Sequence, residues 1–158
     1  MKFIKLNRRH LEEINKIDIE SEHQGDIENN LEVKEIKKYN KERMNKKDEI
    51  FFGYKLNNEL VGYVTLKPFF PGHKHCELYW LAVKKKYQGQ GIGTELVKFI
   101  EKYSKKKKFR KIFIYTGKPM KKTRKFYEKL NYEFVNEFEG YYGYQKGNTT
   151  AILYGKKL

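Results

Sequence analysis

The chain has 158 residues, with 35 Lys and Arg against 20 Asp and Glu, a net charge of +15 at pH 7, and 16% aromatic residues. That composition supports one folded domain with a core and excludes an intrinsically disordered chain. No apolar run approaches the roughly 20 residues of a membrane helix, the start Met1-Lys2-Phe3-Ile4-Lys5 lacks the apolar centre of a secretion signal, and a lone cysteine, Cys76, excludes an internal disulfide and suits a reducing cytoplasm.

Taken in order, Lys2 to Leu6 predicts a first short strand, followed by a helix beginning near Asn7 or Arg8, with Asn7 as its N-cap. Ser21 to Asn30 is polar and reads as a loop, and a loosely periodic second helix runs from Leu31 to Asn45. Ile50 to Leu56 and Leu60 to Leu66 predict two strands joined by a tight Asn57-Asn58 turn. His75 to Val83 is a third strand, after the break at Pro68 and Pro71-Gly72. Ile92, Leu96, Phe99, Ile100 and Tyr103 mark an amphipathic helix, and Lys111 to Tyr115 a strand that makes a parallel crossover with its predecessor. A helix with Pro119 in its first turn then presents Met120, Thr123, Phe126, Tyr127 and Leu130 to the core. Tyr132 to Tyr142 and Thr149 to Lys156 close the chain as a hairpin across Gln145 to Asn148.

The most informative stretch joins the third strand to the amphipathic helix: Gln88-Gly89-Gln90-Gly91-Ile92-Gly93-Thr94. Glycine permits positive φ and close approach to the backbone. A helix start offers free N–H groups and a positive dipole end. Strand, glycine turn and helix start together make a site for a phosphate. A P-loop needs Lys before the Ser or Thr, and Gly93 runs directly into Thr94. A dinucleotide fingerprint needs its third glycine one position later and an acidic residue about 20 positions on, and Ile112 to Tyr115 holds none.

The spacing instead resembles the Gln/Arg-x-x-Gly-x-Gly/Ala signature of the GNAT N-acetyltransferases. Leu81-Ala82-Val83 is similar to the end of that family's fourth strand. Thr123 to Tyr132 is similar to its Ala-x-x-x-Tyr-Glu-Lys-Leu-Gly-Phe segment, with Thr123 in place of alanine and Asn131 in place of glycine. Asn is the next-best residue at a left-handed helix end. The resemblance is close over residues 77–158 and extends to residues 1–66 only in the order of elements. It implies one α+β domain over residues 1–158. Its mixed, mostly antiparallel sheet of about six or seven strands would hold a splayed parallel pair and be flanked by about four helices.

The resemblance further implies acetyl-coenzyme A as co-substrate. Gln88, Gly89, Gln90, Gly91, Ile92, Gly93 and Thr94 would grip its pyrophosphate, and the backbone of Leu81, Ala82 and Val83 its thioester and pantetheine arm. Tyr127 matches the family's general acid. Glu77, at the start of the central strand, is the candidate base; simple alternation places it on one face with Tyr79, Leu81 and Val83, and a neighbouring apolar floor would raise its pKa. His75 is a fallback base. His73, His75 and Cys76 do not read as a metal site, because strand geometry points the last two to opposite faces.

Charge is uneven along the chain. Residues 1–60 hold 13 basic and 13 acidic residues, whereas residues 84–130 hold 17 basic and 3 acidic. A basic surround attracts a polyanion such as coenzyme A, while a solvated helix end or a nucleic-acid surface would use the same residues. Between Lys16 and Lys34 lie Asp18, Glu20, Glu22, Asp26, Glu28 and Glu32 with no lysine or arginine. Such an acidic lip would attract a cationic amine: a polyamine, an aminoglycoside or a protein amino group. Tyr141, Tyr142 and Tyr144 would form the facing wall. The expectation is an acetyl-coenzyme A-dependent N-acetyltransferase acting on a primary amine, monomeric or homodimeric. The alternatives are an acyl-coenzyme A-binding protein without turnover and a basic protein associated with nucleic acid.

Overall fold

A computed structural model describes residues 2–21, 33–142 and 149–158. Among them, seven strands form one mixed sheet: β1 (Lys2–Lys5), β2 (Ile50–Leu56), β3 (Glu59–Pro68), β4 (His75–Val83), β5 (Lys111–Gly117), β6 (Glu133–Phe138) and β7 (Ala151–Lys157). Their order across the sheet is β1-β2-β3-β4-β5-β7-β6. Four helices accompany them: α1 (Leu11–Glu20), α2 (Val33–Lys46), α3 (Ile92–Lys106) and α4 (Lys121–Lys129). None is long and apolar enough to cross a membrane.

Local chemistry explains the boundaries. The Asn7 side chain accepts a hydrogen bond from the Arg9 N–H at 3.0 Å, capping a short 3-10 turn, Arg8–His10, that leads into α1. Asn57 and Asn58 both hold positive φ, 49° and 66°, as a two-residue hairpin turn requires. Asn131 closes α4 at φ 63°, the left-handed end expected from its place in the sequence. The expected loop from Ser21 and the expected turn from Gln145 to Asn148 lie almost wholly outside the described residues.

The sheet separates two apolar layers. On one face Val64, Leu66, Leu78 and Ile112 pack against Leu96, Val97 and Ile100 of α3 and Tyr127 of α4. On the other, Phe51, Leu60, Tyr63 and Ala82 pack against Ile14 and Ile17 of α1, with Trp80 alongside. Leu96 and Ile100 are fully buried, each stabilising the fold by about 1.5–3 kcal/mol.

Two irregularities in β4 shape the centre. First, Thr65 pairs with Trp80 and Leu66 with Leu78, so Tyr79 has no partner on β3. It is a β-bulge, which bends the strand and resets its alternation. Cys76 and Leu78 face the α3 layer before it, Leu81 and Val83 after it. The expected sharing of one face by Glu77, Tyr79, Leu81 and Val83 is therefore wrong: Glu77 and Tyr79 lie with Trp80 and Ala82 on the α1/α2 face. Second, β4 and β5 pair in parallel only at His75–Lys111, Cys76–Ile112 and Glu77–Phe113. Beyond Glu77 the two strands part, and β5 does not pair with β4 from Leu78 to Val83.

Candidate active site

The stretch of β4 that β5 leaves runs into the glycine turn. Gly89 and Gly91 adopt φ 75° and 82°, and a Cβ at either would meet nothing within 4 Å. Conformation, not crowding, demands glycine at these two positions. Gly91 stands at the N-cap of α3 with no side-chain cap, and the first helical bond runs from Glu95 N–H to the Gly91 carbonyl at 3.0 Å. The N–H groups of Ile92, Gly93 and Thr94 thus point out of the helix start. Gly93, expected to share the turn's freedom, lies inside α3 instead, and its missing Cβ would sit 3.5 Å from the Phe126 ring.

Side chains hold the turn in place. Gln88 Nε2 donates to the Val83 carbonyl at 2.9 Å and to the Ser21 carbonyl at 3.0 Å, tying the end of β4 to the end of α1. Gln90 Nε2 donates to the Lys86 carbonyl at 3.1 Å. Glu59, at the hairpin end of β3, accepts from the Tyr87 hydroxyl at 2.6 Å and from Lys84 at 2.9 Å, and pairs with Lys86 at 3.1 Å. Hydrogen bonds from Tyr87, then from the two lysines, hold the Glu59 carboxyl down at about 2.

Tyr127 lies in the α3-side core with Val83, Ile92 and Leu96, its ring 5.0 Å from Phe126 and 5.7 Å from Tyr132. Burial pushes its pKa up, so the phenol keeps its proton. Leu81 and Val83 turn their side chains into the same layer, and Ala82 into the opposite one. Tyr127, the end of β4 and the start of α3 therefore share one side of the sheet.

Glu77 lies on the other side, 4% exposed. Burial raises its pKa to about 7; Lys67 opposes that shift and Glu49 adds to it. Lys67 is its direct partner across the β3–β4 ladder. The bulged Tyr79 reaches toward α2, its hydroxyl 2.6 Å from that of Tyr39. Tyr115 on β5 closes the other flank, its pKa raised by burial and then by the Glu77 charge. His75 packs edge-on against Phe113 at 5.5 Å. The sequence named Glu77 and His75, and Tyr79 on the face of Glu77, but not Lys67 or Tyr115; the signal for those two is the ladder register, which exists only once the strands are paired.

Behind these residues is a buried polar layer. Asp18 accepts from the Tyr63 hydroxyl at 2.8 Å, Asn40 at 2.7 Å and Trp80 Nε1 at 3.1 Å. The Arg43 guanidinium lies among the rings of Tyr39, Phe51, Tyr79 and Trp80, 4.9–5.4 Å from their centres, and pairs with Glu49 at 2.7 Å. Of the expected acidic lip, Asp18 is buried and satisfied and Glu20 stands 3.9 Å from Lys84; Glu22, Asp26, Glu28 and Glu32, like Tyr144 of the facing wall, lie outside the described residues. Among the described residues no group of three His, Cys, Asp or Glu side chains converges as a metal site would.

Known proteins share this fold. The chain is 40% identical over 60 residues to Probable N-acetyltransferase 14 of Xenopus tropicalis, a match spanning 38% of the chain and 29% of that protein. The fold is similar to a GNAT family acetyltransferase from Elizabethkingia anophelis with acetyl-coenzyme A bound, at 25% identity and TM-score 0.68 over 75% of this chain and 83% of that one. It is also similar to PaiA N-acetyltransferase from Thermoplasma acidophilum in complex with coenzyme A, at 20% identity and TM-score 0.75 over 99% and 98% of the two chains. The model of the acetyltransferase (GNAT) family matches residues 11–132, and with the glycine turn and the splayed β4–β5 pair in place, the chain belongs to that family.

Proposed function

We propose that this protein transfers an acetyl group from acetyl-coenzyme A to a primary amine, by direct attack of the amine while both substrates are bound. The observation that carries this reading is the continuity between the stretch of β4 that β5 leaves and the uncapped start of α3. The residues present fit the cofactor. The N–H groups from Gly89 to Thr94 suit a diphosphate, and the stretch of β4 that β5 leaves beyond Glu77 suits an extended amide-bearing arm added like a strand. Acetyl-coenzyme A supplies an activated acetyl thioester at the end of that arm.

The chain's own groups would divide the proton work. Glu77, with a pKa of about 7, takes a proton from the amine on the α1/α2 side. Tyr127, still protonated, donates to the departing thiolate on the α3 side. Backbone N–H groups of Leu81 to Val83 stabilise charge on the thioester oxygen. The new bond joins amine nitrogen to acetyl carbon and the carbon–sulfur bond breaks. One proton passes from nitrogen to Glu77 and another from Tyr127 to sulfur. The parted strands provide the passage through which the amine meets the thioester.

Calorimetry and kinetics on Tyr127→Phe test the assignment. Coenzyme A should still bind within about twofold of wild type, while kcat falls on the order of 10²-fold. Unchanged kcat would remove Tyr127 from the chemistry. Absence of coenzyme A binding to the wild-type protein at millimolar concentration would remove the function.

A further inference from the structure

The acceptor side carries a pair of opposite charges that does not close on itself. Lys67 and Glu77 are directly opposed across β3 and β4, so both side chains leave the sheet on the α1/α2 face. Lys67 lowers the Glu77 pKa by its charge, yet forms no ion pair with a carboxylate among the described residues. Its ammonium sits instead 3.3 Å from the centre of the Tyr79 ring. A lysine held beside the base repels a bare cationic amine. It suits an acceptor whose amino group has a carboxylate next to it.

The surroundings narrow the choice. The two buried carboxylate side chains beside Glu77 on this face are engaged, Asp18 by Tyr63, Asn40 and Trp80 and Glu49 by Arg43, so neither is placed to follow a polyamine. The flank beside Glu77 is aromatic. Tyr115 stacks on Tyr141 at 4.8 Å and meets Phe70 at 6.4 Å and Phe138 at 6.1 Å. Phe70 and Tyr141 are 38% and 46% exposed.

We infer that the acceptor is a free α-amino acid with an aromatic or large apolar side chain. Lys67 holds its carboxylate, Glu77 receives the proton of its amino group, and Tyr115, Tyr141 and Phe70 take its side chain. The inference rests on the acetyl-transfer reading above and assigns Lys67 the role of a specificity determinant.

The test measures kcat/KM of the full chain with acetyl-coenzyme A for phenylalanine, phenylalanine amide, phenethylamine and spermidine. An acceptor without the carboxylate forgoes a charge-assisted hydrogen bond to Lys67, so phenylalanine should lead its amide and phenethylamine by at least about 10-fold. Lys67→Met should collapse that ratio to about one, with coenzyme A uptake by calorimetry showing the variant folded. A wild-type preference for spermidine or the amide, a ratio that survives Lys67→Met, or coenzyme A binding with none of the four acceptors acetylated overturns the acceptor class. Absence of coenzyme A uptake by wild type overturns the acetyl-transfer reading instead.

Discussion

As the proposed base, Glu77 would tie protonation, stability and rate together at a single residue. Its ordinary pKa of 4.5 rises to about 7 because the folded chain removes it from water. The protonated form is therefore the one the fold favours. Its stabilising contribution is complete below pH 4.5 and is lost as pH rises through 7. Glu77→Gln, which cannot ionise, should thus be more stable than wild type at pH 8, by on the order of 3 kcal/mol at most, and indistinguishable from it at pH 4. Urea unfolding at the two pH values measures this. The proposed catalytic role runs the other way, since a base must be unprotonated. The wild-type rate should climb through a limb near pH 7, and Glu77→Gln should lose both the limb and about 10²- to 10³-fold in kcat/KM. A variant that is more stable and less active marks a carboxylate kept at a cost in stability.

At the scale of elements, the β4–turn–α3 unit makes unequal demands on its glycines. Gly91 sits at φ 82° with space around it, so Gly91→Ala strains the backbone and should cost about 1 kcal/mol or more while weakening coenzyme A binding. Gly93 is helical, and its added methyl would meet Phe126 at an ordinary 3.5 Å; Gly93→Ala should leave both quantities nearly unchanged. Thermal melts and calorimetry on the pair separate conformation from packing. The opposite layer depends on Arg43. Arg43→Met leaves Glu49, 2% exposed, without its cation, and should destabilise by about 3–5 kcal/mol in urea. These two units differ in how visible they are in the sequence. Strand, glycines and helix are contiguous, so local patterning reveals them, as it does the Asn57-Asn58 turn and the Asn131 helix end. The Arg43 box joins α2 to β2, β3 and β4, and a weakly periodic helix gives no hint of it. The bulge at Tyr79 is equally hidden, because Glu77 to Val83 alternates acceptably either way; only the Thr65–Trp80 and Leu66–Leu78 pairs place it. That one extra residue moves the candidate base to the other face of the sheet.

Across the whole molecule, charge is segregated along with the layers. The exposed lysines of α3 and α4 — Lys98, Lys102, Lys105, Lys106, Lys121, Lys122, Lys125 and Lys129 — stand on the elements that begin at and pack beside the glycine turn. The α1/α2 face instead keeps Asp18 and Glu49 paired internally. Such asymmetry would draw a polyanion to one side of the sheet and leave the proposed acceptor side to short-range recognition. Two acetyl donors distinguish this from plain solubility. Acetyl-coenzyme A carries the phosphates, whereas S-acetylpantetheine presents the same thioester and arm without them. Raising ionic strength from about 0.02 M to about 0.3 M shrinks the screening length severalfold. The KM for acetyl-coenzyme A should then rise several-fold while that for S-acetylpantetheine stays constant. Equal sensitivity of the two donors would assign the basic residues to solubility alone, and a response confined to acetyl-coenzyme A would make the helical layer's charge part of substrate capture.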